Sequence, residues 1–362
     1  MAAPSLVLEV NGSPFEGWKR VAVELSMEAL AGSFELAVSE RFPTDPLGRP
    51  IREGDRAELK LHGELVIRGY VDDVARSYET DEENGQHTVT VSGRDATGDL
   101  VDCSVTHEPG EWTDRLLEEI AREVVAPFRI PLRIAEATAS AFAKVKTEES
   151  ETAYELIERL CRQRGLLPMS DRSGGLLLSR LGPELVPTPI VLGENVLRGE
   201  LVSSIRDRHS LYRAKGQAKG SDDFFGRDAA SPVGEATDPL VTRFRPLTLL
   251  ADEPADADVL KRRATWESTV RAGRSRVARY TVQGWRHARG LWLPNTRVRV
   301  RDELLGLARE LLIASVRFSF DEDRGSRTVL DLTLPEAFAP EPVKVPKGKA
   351  TEIWHELDPV RR

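Results

Sequence analysis

The sequence predicts a mainly β protein with a small α/β insert. Three observations carry that expectation. Residues 51–94 alternate apolar and polar positions between glycine- and aspartate-rich turns, the pattern of strands and hairpins. Residues 292–334 repeat the same order of turns and strands. Between them, residues 105–185 switch to apolar spacings of three and four, the period of a helix.

At the start of the chain, Leu6 to Val10 alternates, Asn11-Gly12 is a two-residue hairpin signal, and Trp18 to Leu25 alternates again. Ser33 to Val38 puts Phe34, Leu36 and Val38 on one strand face. The first echoing stretch then turns at Gly54-Asp55, alternates through Ala57, Leu59 and Leu61, and turns at His62-Gly63. A long strand runs from Leu65, and an acidic loop with Gly85 leads to a strand at Val89 and Val91. In the second stretch Pro294-Asn295 makes the turn and Val298 and Val300 alternate with Arg297, Arg299 and Arg301. A Gly306 turn precedes Leu311 to Ile313; Val316, Phe318 and Phe320 share a face, and Gly325 leads into Thr328-Val329. The two stretches read as one β-module used twice.

The insert begins after Cys103. Trp112, Leu116, Ile120 and Val124 form one helical stripe that stops at Pro127. Pro131 to Ile134 is a short strand. Ser150 caps a second helix with Ala153, Ile157, Leu160 and Cys161 inward and Gly165 just past its end. Leu166 to Arg180 is a hairpin turning at Ser173-Gly174-Gly175. Strand patterning returns over Leu197 to Gln217, with Ser210 to Arg213 expected where Ser33 to Leu36 stood in the first module. Gly220 to Asp238 reads as a loop and Asp256 to Ala272 as a helix with Val259, Trp266 and Val270 on a narrow stripe. Glu267 is spaced to pair with Arg263 and Arg271. After Pro340 the chain is Pro- and Lys-rich with an Ile353-Trp354 anchor, an extended tail.

With 362 residues, 40% hydrophobic and 30% charged, the chain has material for two or three domains with a sizeable core. Its two cysteines, Cys103 and Cys161, make neither a disulfide framework nor a CxxC motif, so a reducing site of synthesis is expected. The first ten residues lack a basic region followed by a long apolar run, and no run of about 18 apolar residues exists, so neither a secretory signal nor a membrane span is expected. The formal charge of −8 is uneven: residues 1–100 carry ten Lys and Arg against nineteen Asp and Glu, and residues 241–338 carry eighteen against thirteen.

Catalytic signals are missing. None of His62, His87, His107, His209, His287 and His355 lies three to five residues from another, and there is no HExxH for zinc. Gly93 and Gly98 bracket a segment without the lysine a phosphate-cradling loop needs, and no GxSxG elbow occurs. Adjacent acids such as Asp72-Asp73 point to opposite strand faces. Cys161 on an apolar stripe is a structural thiol rather than a nucleophile. Lys261 to Arg279 holds seven bases and one acid; without interleaved aromatics for base stacking, packing against an acidic neighbour explains it better than nucleic acid. Arg271, Arg274 and Arg276 are its candidate subunit-interface residues. Binding or assembly is therefore the leading class.

Residues 15–43, 69–104, 151–167 and 245–325 resemble the baseplate hub proteins of contractile phage tails, in particular the Mu-type tail protein P family. The SGRDATGDLVDCS segment at 92–104 and GWRHARGLWLPNTRVRVRD at 284–302 are its specific motifs. The resemblance implies two related tube-type β-barrel domains, 1–104 and 186–338, flanking an α/β insertion domain, 105–185, with an extended tail at 339–362. It further implies a homotrimeric ring in the virion, assembled from chains made in the bacterial host cytoplasm. Such a ring joins a six-fold tail tube or tube-initiating protein to a trimeric cell-puncturing spike, beside baseplate wedge proteins. DNA passes through such a ring without sequence-specific contact, and neither cofactor nor membrane is involved. The alternatives are a carbohydrate- or host-surface-binding β protein using Trp285 and Trp292, and a tail-associated cell-wall hydrolase with a carboxylate pair across a cleft.

Overall fold

The two echoing stretches fold into one continuous sheet. The computed structural model describes residues 5–40, 51–79, 86–136, 138, 140–216, 232–251 and 256–341; the tail beyond 341, the acidic loop at 80–85 and most of the loop expected at 220–238 lie outside them. In the first module, hydrogen-bonded order runs Arg20–Ser26, Ser33–Glu40, Gln86–Asp95, Glu64–Glu79, Arg56–Leu61, Leu6–Val10 and Ser13–Phe15. In the second it runs Val196–Ser203, Arg276–Gln283, Gly325–Thr333, Leu307–Asp321, Arg297–Asp302 and Ile190–Val191. The first five positions match strand for strand. The modules differ at the far end, where Leu6–Val10 is antiparallel to its neighbour and Ile190–Val191 is parallel.

Each module is built on a long strand, of 16 residues in the first and 15 in the second. Both carry a bulge against the same neighbour, between Val71 and Asp73 and between Ile313 and Ser315. An extra residue on one strand bends it and increases its twist. Each long strand thus offers its two halves to different neighbours. Leu307 to Leu312 pairs with Arg297–Asp302, whereas Ser315 to Asp321 pairs with Arg20–Ser26 of the other module. That second pairing is the seam between the modules. Asn11-Gly12 and His62-Gly63 have positive φ at both residues (48° and 81°, 50° and 80°), the two-residue turn whose twist matches the strands it joins.

The apolar faces of both modules share one core. Val21, Val23 and Leu25 line up with Phe320, Phe318 and Val316 across the seam. Trp285 packs edge-on to both His62 and Phe318, and its indole N–H donates to the Ser319 carbonyl. Hydrogen bonding closes neither module into a barrel among the described residues: the sheet is an open path, because the seam uses an edge of each module.

The insert has its own core. Helices Leu117–Val125 and Ala153–Arg162 pack on the sheet Leu132–Ile134, Leu176–Ser179, Leu167–Ser170. Two expectations fail here. Trp112 lies on strand Glu111–Arg115, paired with Phe142–Lys146, so the first helix starts only at Leu117. Trp112 still reaches that helix through its indole N–H to Glu123 (2.7 Å), which is why its spacing mimicked a stripe. The cap of the second helix is Thr152, not Ser150: its hydroxyl accepts from the Glu155 amide and Glu155 returns the bond to the Thr152 amide, while Ser150 sits at φ 65°. Cys161 is buried, and burial pushes its thiol far above the usual range.

A third body interrupts the second module. Leu211–Lys215 does not take the place of the Ser33–Glu40 strand; Arg276–Gln283 does. The chain leaves the main sheet after Ser203 and builds a separate sheet from Val233–Thr237, Leu211–Lys215 and Pro246–Leu250. Alternation reveals which residues are inward but not which strand they join. Helix Ala257–Arg274, capped by Asp256, covers this sheet. Gly234 permits it, since an added Cβ would lie 2.1 Å from the Lys261 nitrogen. Val233–Thr237 also corrects the loop expected over those residues.

Two buried carboxylates tie these bodies down, and they predict opposite pH behaviour. Asp95, at the exit from the first module, accepts from the amides of Gly32 (2.7 Å) and Thr97 (2.9 Å) and from the Thr97 hydroxyl. Burial nevertheless raises its pKa above the ordinary 3.8. Its folded form therefore holds the proton longer than its unfolded form, and its contribution fades as pH rises through the folded value. Urea midpoints of wild type and Asp95→Asn should differ more at pH 4 than at pH 7. Asp238 is gripped by Arg208 through two bonds of 2.7 Å, both residues buried. Burial raises its pKa, but the bonds from Arg208 and the Leu240 amide outweigh that and leave it lowered. This contribution is present above the unfolded value and is lost as pH falls through the folded one. Asp238→Ala strands the Arg208 charge and should cost about 3–5 kcal/mol, read as accelerated amide exchange confined to the third body.

Candidate assembly interface

Among the described residues no three His, Cys, Asp or Glu side chains are grouped to hold a metal ion. The chemistry that stands out belongs to the faces and edges of the main sheet.

One face is the shared core. The other carries a small apolar cluster where Leu312 and Ala314 meet Ala337 and Phe338, and beside it a polar stretch whose residues pair across strands. Arg317 meets Glu24 across the seam at 2.6 Å, Arg279 meets Asp331 at 2.6 Å, and the Ser315 hydroxyl donates to Asp331 at 3.0 Å. The Asp331 hydrogen bond holds the Arg279 guanidinium above its usual pKa. Arg198 and Glu200 lie beside this ladder, in a shallow groove of about 260 Å³. Exposed pairs of this kind contribute roughly 0–1 kcal/mol each; their consistent alternation keeps the face wet and the register defined. In the first module Arg94 bridges Asp72 (2.8 Å), at the bulge, and Asp102 (2.7 Å).

Two stretches of strand are left half-paired. Val196–Ser203 pairs with Arg276–Gln283, and among the described residues its other side has no strand partner; Leu197 and Val202 there are each 51% exposed. Residues 73–79 pair with Gln86–Asp95 on one side and no described strand on the other, and Tyr78 stands 77% exposed. Open edges invite another strand. Beside Val196–Ser203 lies a cavity of about 280 Å³ lined by Leu201, Ala278, Leu305, Leu311, Leu332 and the rim residue Arg276.

Of the three arginines picked from the basic run, two are committed inside the chain. Arg271 pairs with Glu267 (2.7 Å) and donates to the Asp207 carbonyl. Arg274 donates to the Ala337 carbonyl and helps clamp the turn Pro335–Phe338 on the helix, as does Trp266 through Ala339. Arg276, on the strand next to the open edge and opposite Ser203, lines the cavity there. Arg263 pairs with Glu341 rather than Glu267. Trp285 and Trp292 are 1% and 2% exposed, so neither serves as a sugar-binding platform. The half-paired edges and Tyr78 escaped the reading of the sequence, because pattern shows that a strand exists and not whether both sides are occupied.

Three family models match the chain: Mu phage baseplate assembly protein GpP-like, N-terminal, over residues 5–95; baseplate hub protein gp44-like, second domain, over 97–180; and Mu phage baseplate assembly protein GpP, fourth domain, over 256–341. The chain is 34% identical over 343 residues to the baseplate hub protein gp44 of Escherichia phage Mu, covering 92% of this chain and 89% of that protein. It matches the crystal structure of the prophage MuSo2 43 kDa tail protein from Shewanella oneidensis at 34% identity and TM-score 0.82, over 93% of this chain and 99% of that one. A tail protein from Neisseria meningitidis MC58 shares the fold at 21% identity and TM-score 0.76, over 93% and 99%.

Proposed function

Because this chain belongs to the family of Mu-type baseplate hub proteins, we propose that it is the structural hub of a contractile tail: a homotrimeric ring at the centre of the baseplate. One observation carries the ring. A single chain holds two modules of the same strand order, joined edge to edge in one sheet. Three chains supply six such modules, a number that meets a six-fold tail tube on one side and a three-fold spike on the other. Baseplate wedge proteins are the outer neighbours, and the particle's tail is the location. The role is mechanical rather than catalytic.

Charge supports the order of modules. With net −9 over residues 1–100 and net +5 over 241–338, a ring that alternates the two modules would bring regions of unlike net charge together. Such a pattern penalises pairing of like modules more than it adds affinity. Of the three candidate arginines, Arg276 is the one placed to act between subunits, whereas Arg271 and Arg274 act mainly by holding the helix.

Light scattering of the purified chain should give three times the 40.2 kDa subunit mass, and electron microscopy should show rings. Monomers at every concentration would overturn the ring. At low salt Arg276→Glu should weaken trimerisation, and added salt should narrow its difference from wild type, since screening acts on exposed charges.

A further inference from the structure

We propose that the ring closes by strand addition: Val196–Ser203 of one chain pairs antiparallel with residues 73–79 of a second copy, placing Leu201 opposite Arg76 and Gly199 opposite Tyr78. This rests on the trimeric reading above and adds its register.

The template is the seam inside the chain. There Arg20–Ser26 pairs with the half of the long strand beyond its bulge, Val23 opposite Phe318. Each partner has a counterpart in the other module. Phe34 and Ala278 hold equivalent positions, since Phe34 opposes Gly93, which opposes Val71, and Ala278 opposes Leu332, which opposes Ile313. Val23 opposes Phe34 and Leu201 opposes Ala278, so Leu201 stands where Val23 stands. Counting from the two bulges, Asp73 corresponds to Ser315 and Arg76 to Phe318. Both counterparts are the half-paired edges. One chain therefore presents a donor edge and an acceptor edge that its own seam shows to be complementary. A head-to-tail contact of that kind between copies closes a ring when its rotation permits.

The side chains at the transferred register fit. Tyr78, 77% exposed, falls opposite a glycine. The bare side of Gly199 faces the Tyr280 ring and Leu305, at 3.0 and 3.3 Å from an ideal Cβ, next to the 280 Å³ cavity. Tyr280, the existing cross-strand partner of Gly199, already covers that side, so the glycine leaves Tyr78 room only toward the neighbouring cavity. Arg76 replaces the seam's Phe318, but its guanidinium donates to the Ile51 carbonyl at 3.1 Å, which leaves its methylene stem to meet Leu201. On the polar face the register sets Ala75 opposite Val202, the places held at the seam by Arg317 and Glu24.

The test is a disulfide at that last pair. In a Cys103→Ser background, since Cys103 is exposed and Cys161 buried, the full chain carries Ala75→Cys and Val202→Cys. Oxidation should give covalent dimers and trimers on a non-reducing gel, which neither single variant gives. Ser77→Cys with Val202→Cys, two residues out of register, should cross-link on the order of tenfold less, since diagonal neighbours lie about 7–8 Å apart. Tyr78→Ala should raise the trimer's dissociation constant on the order of tenfold, as loss of an interface aromatic does. A trimer by light scattering that fails to cross-link at 75 and 202 overturns the register and leaves the ring standing. A chain that stays monomeric overturns both.

Discussion

The structure depends on seven residues at each end of the chain meeting. Arg20–Ser26 and Ser315–Asp321 are almost 300 positions apart and lie side by side in register. Without that pairing the two modules would each expose an apolar strand, Val21, Val23 and Leu25 on one and Val316, Phe318 and Phe320 on the other. With it, they bury one core that includes Trp285 and Trp292. Closing so long a loop costs conformational entropy that grows only slowly with length, so the penalty is modest in stability. Its consequence is kinetic, because contacts of high sequence separation form late.

The two excursions between these ends leave the seam untouched. The insert and the third body each have a separate hydrophobic cluster, and each is moored by a few polar contacts at its point of exit. Asp95 holds the Gly32 and Thr97 amides where the first module ends. Arg208 and Asp238 tie the neck of the third body, and helix Ala257–Arg274 returns the chain to the main sheet while clamping Pro335–Phe338. Separate cores allow such bodies to vary in size without changing the register of the main-sheet strands.

A baseplate hub is a structural part and carries mechanical load. A continuous sheet suits that demand, since a pull across its strands is shared by a row of backbone hydrogen bonds rather than by scattered side chains. One side of that sheet packs into the shared core, and the other carries the alternating ion pairs beside a small cluster under Pro335–Phe338.

Much of the architecture could be read from the sequence. Alternation found the strands of both modules, Asn11-Gly12 and His62-Gly63 marked turns of the first, and the repeated order of turns revealed the duplication, because side-chain period and turn chemistry are local properties. The inward stripe of Ala153–Arg162 was equally plain. Tertiary structure alone decided which strand joined which. Leu211–Lys215 alternates as a main-sheet strand does yet belongs to another sheet, and Trp112 sits at helical spacing yet lies on a strand. It also decided which charges were free. Arg271, Arg274 and Arg276 are alike in the sequence, but two of them find carbonyls within the chain and one lines the cavity beside the open edge. Local pattern records how a residue is buried, whereas its partner is chosen by chain segments brought together from hundreds of residues away.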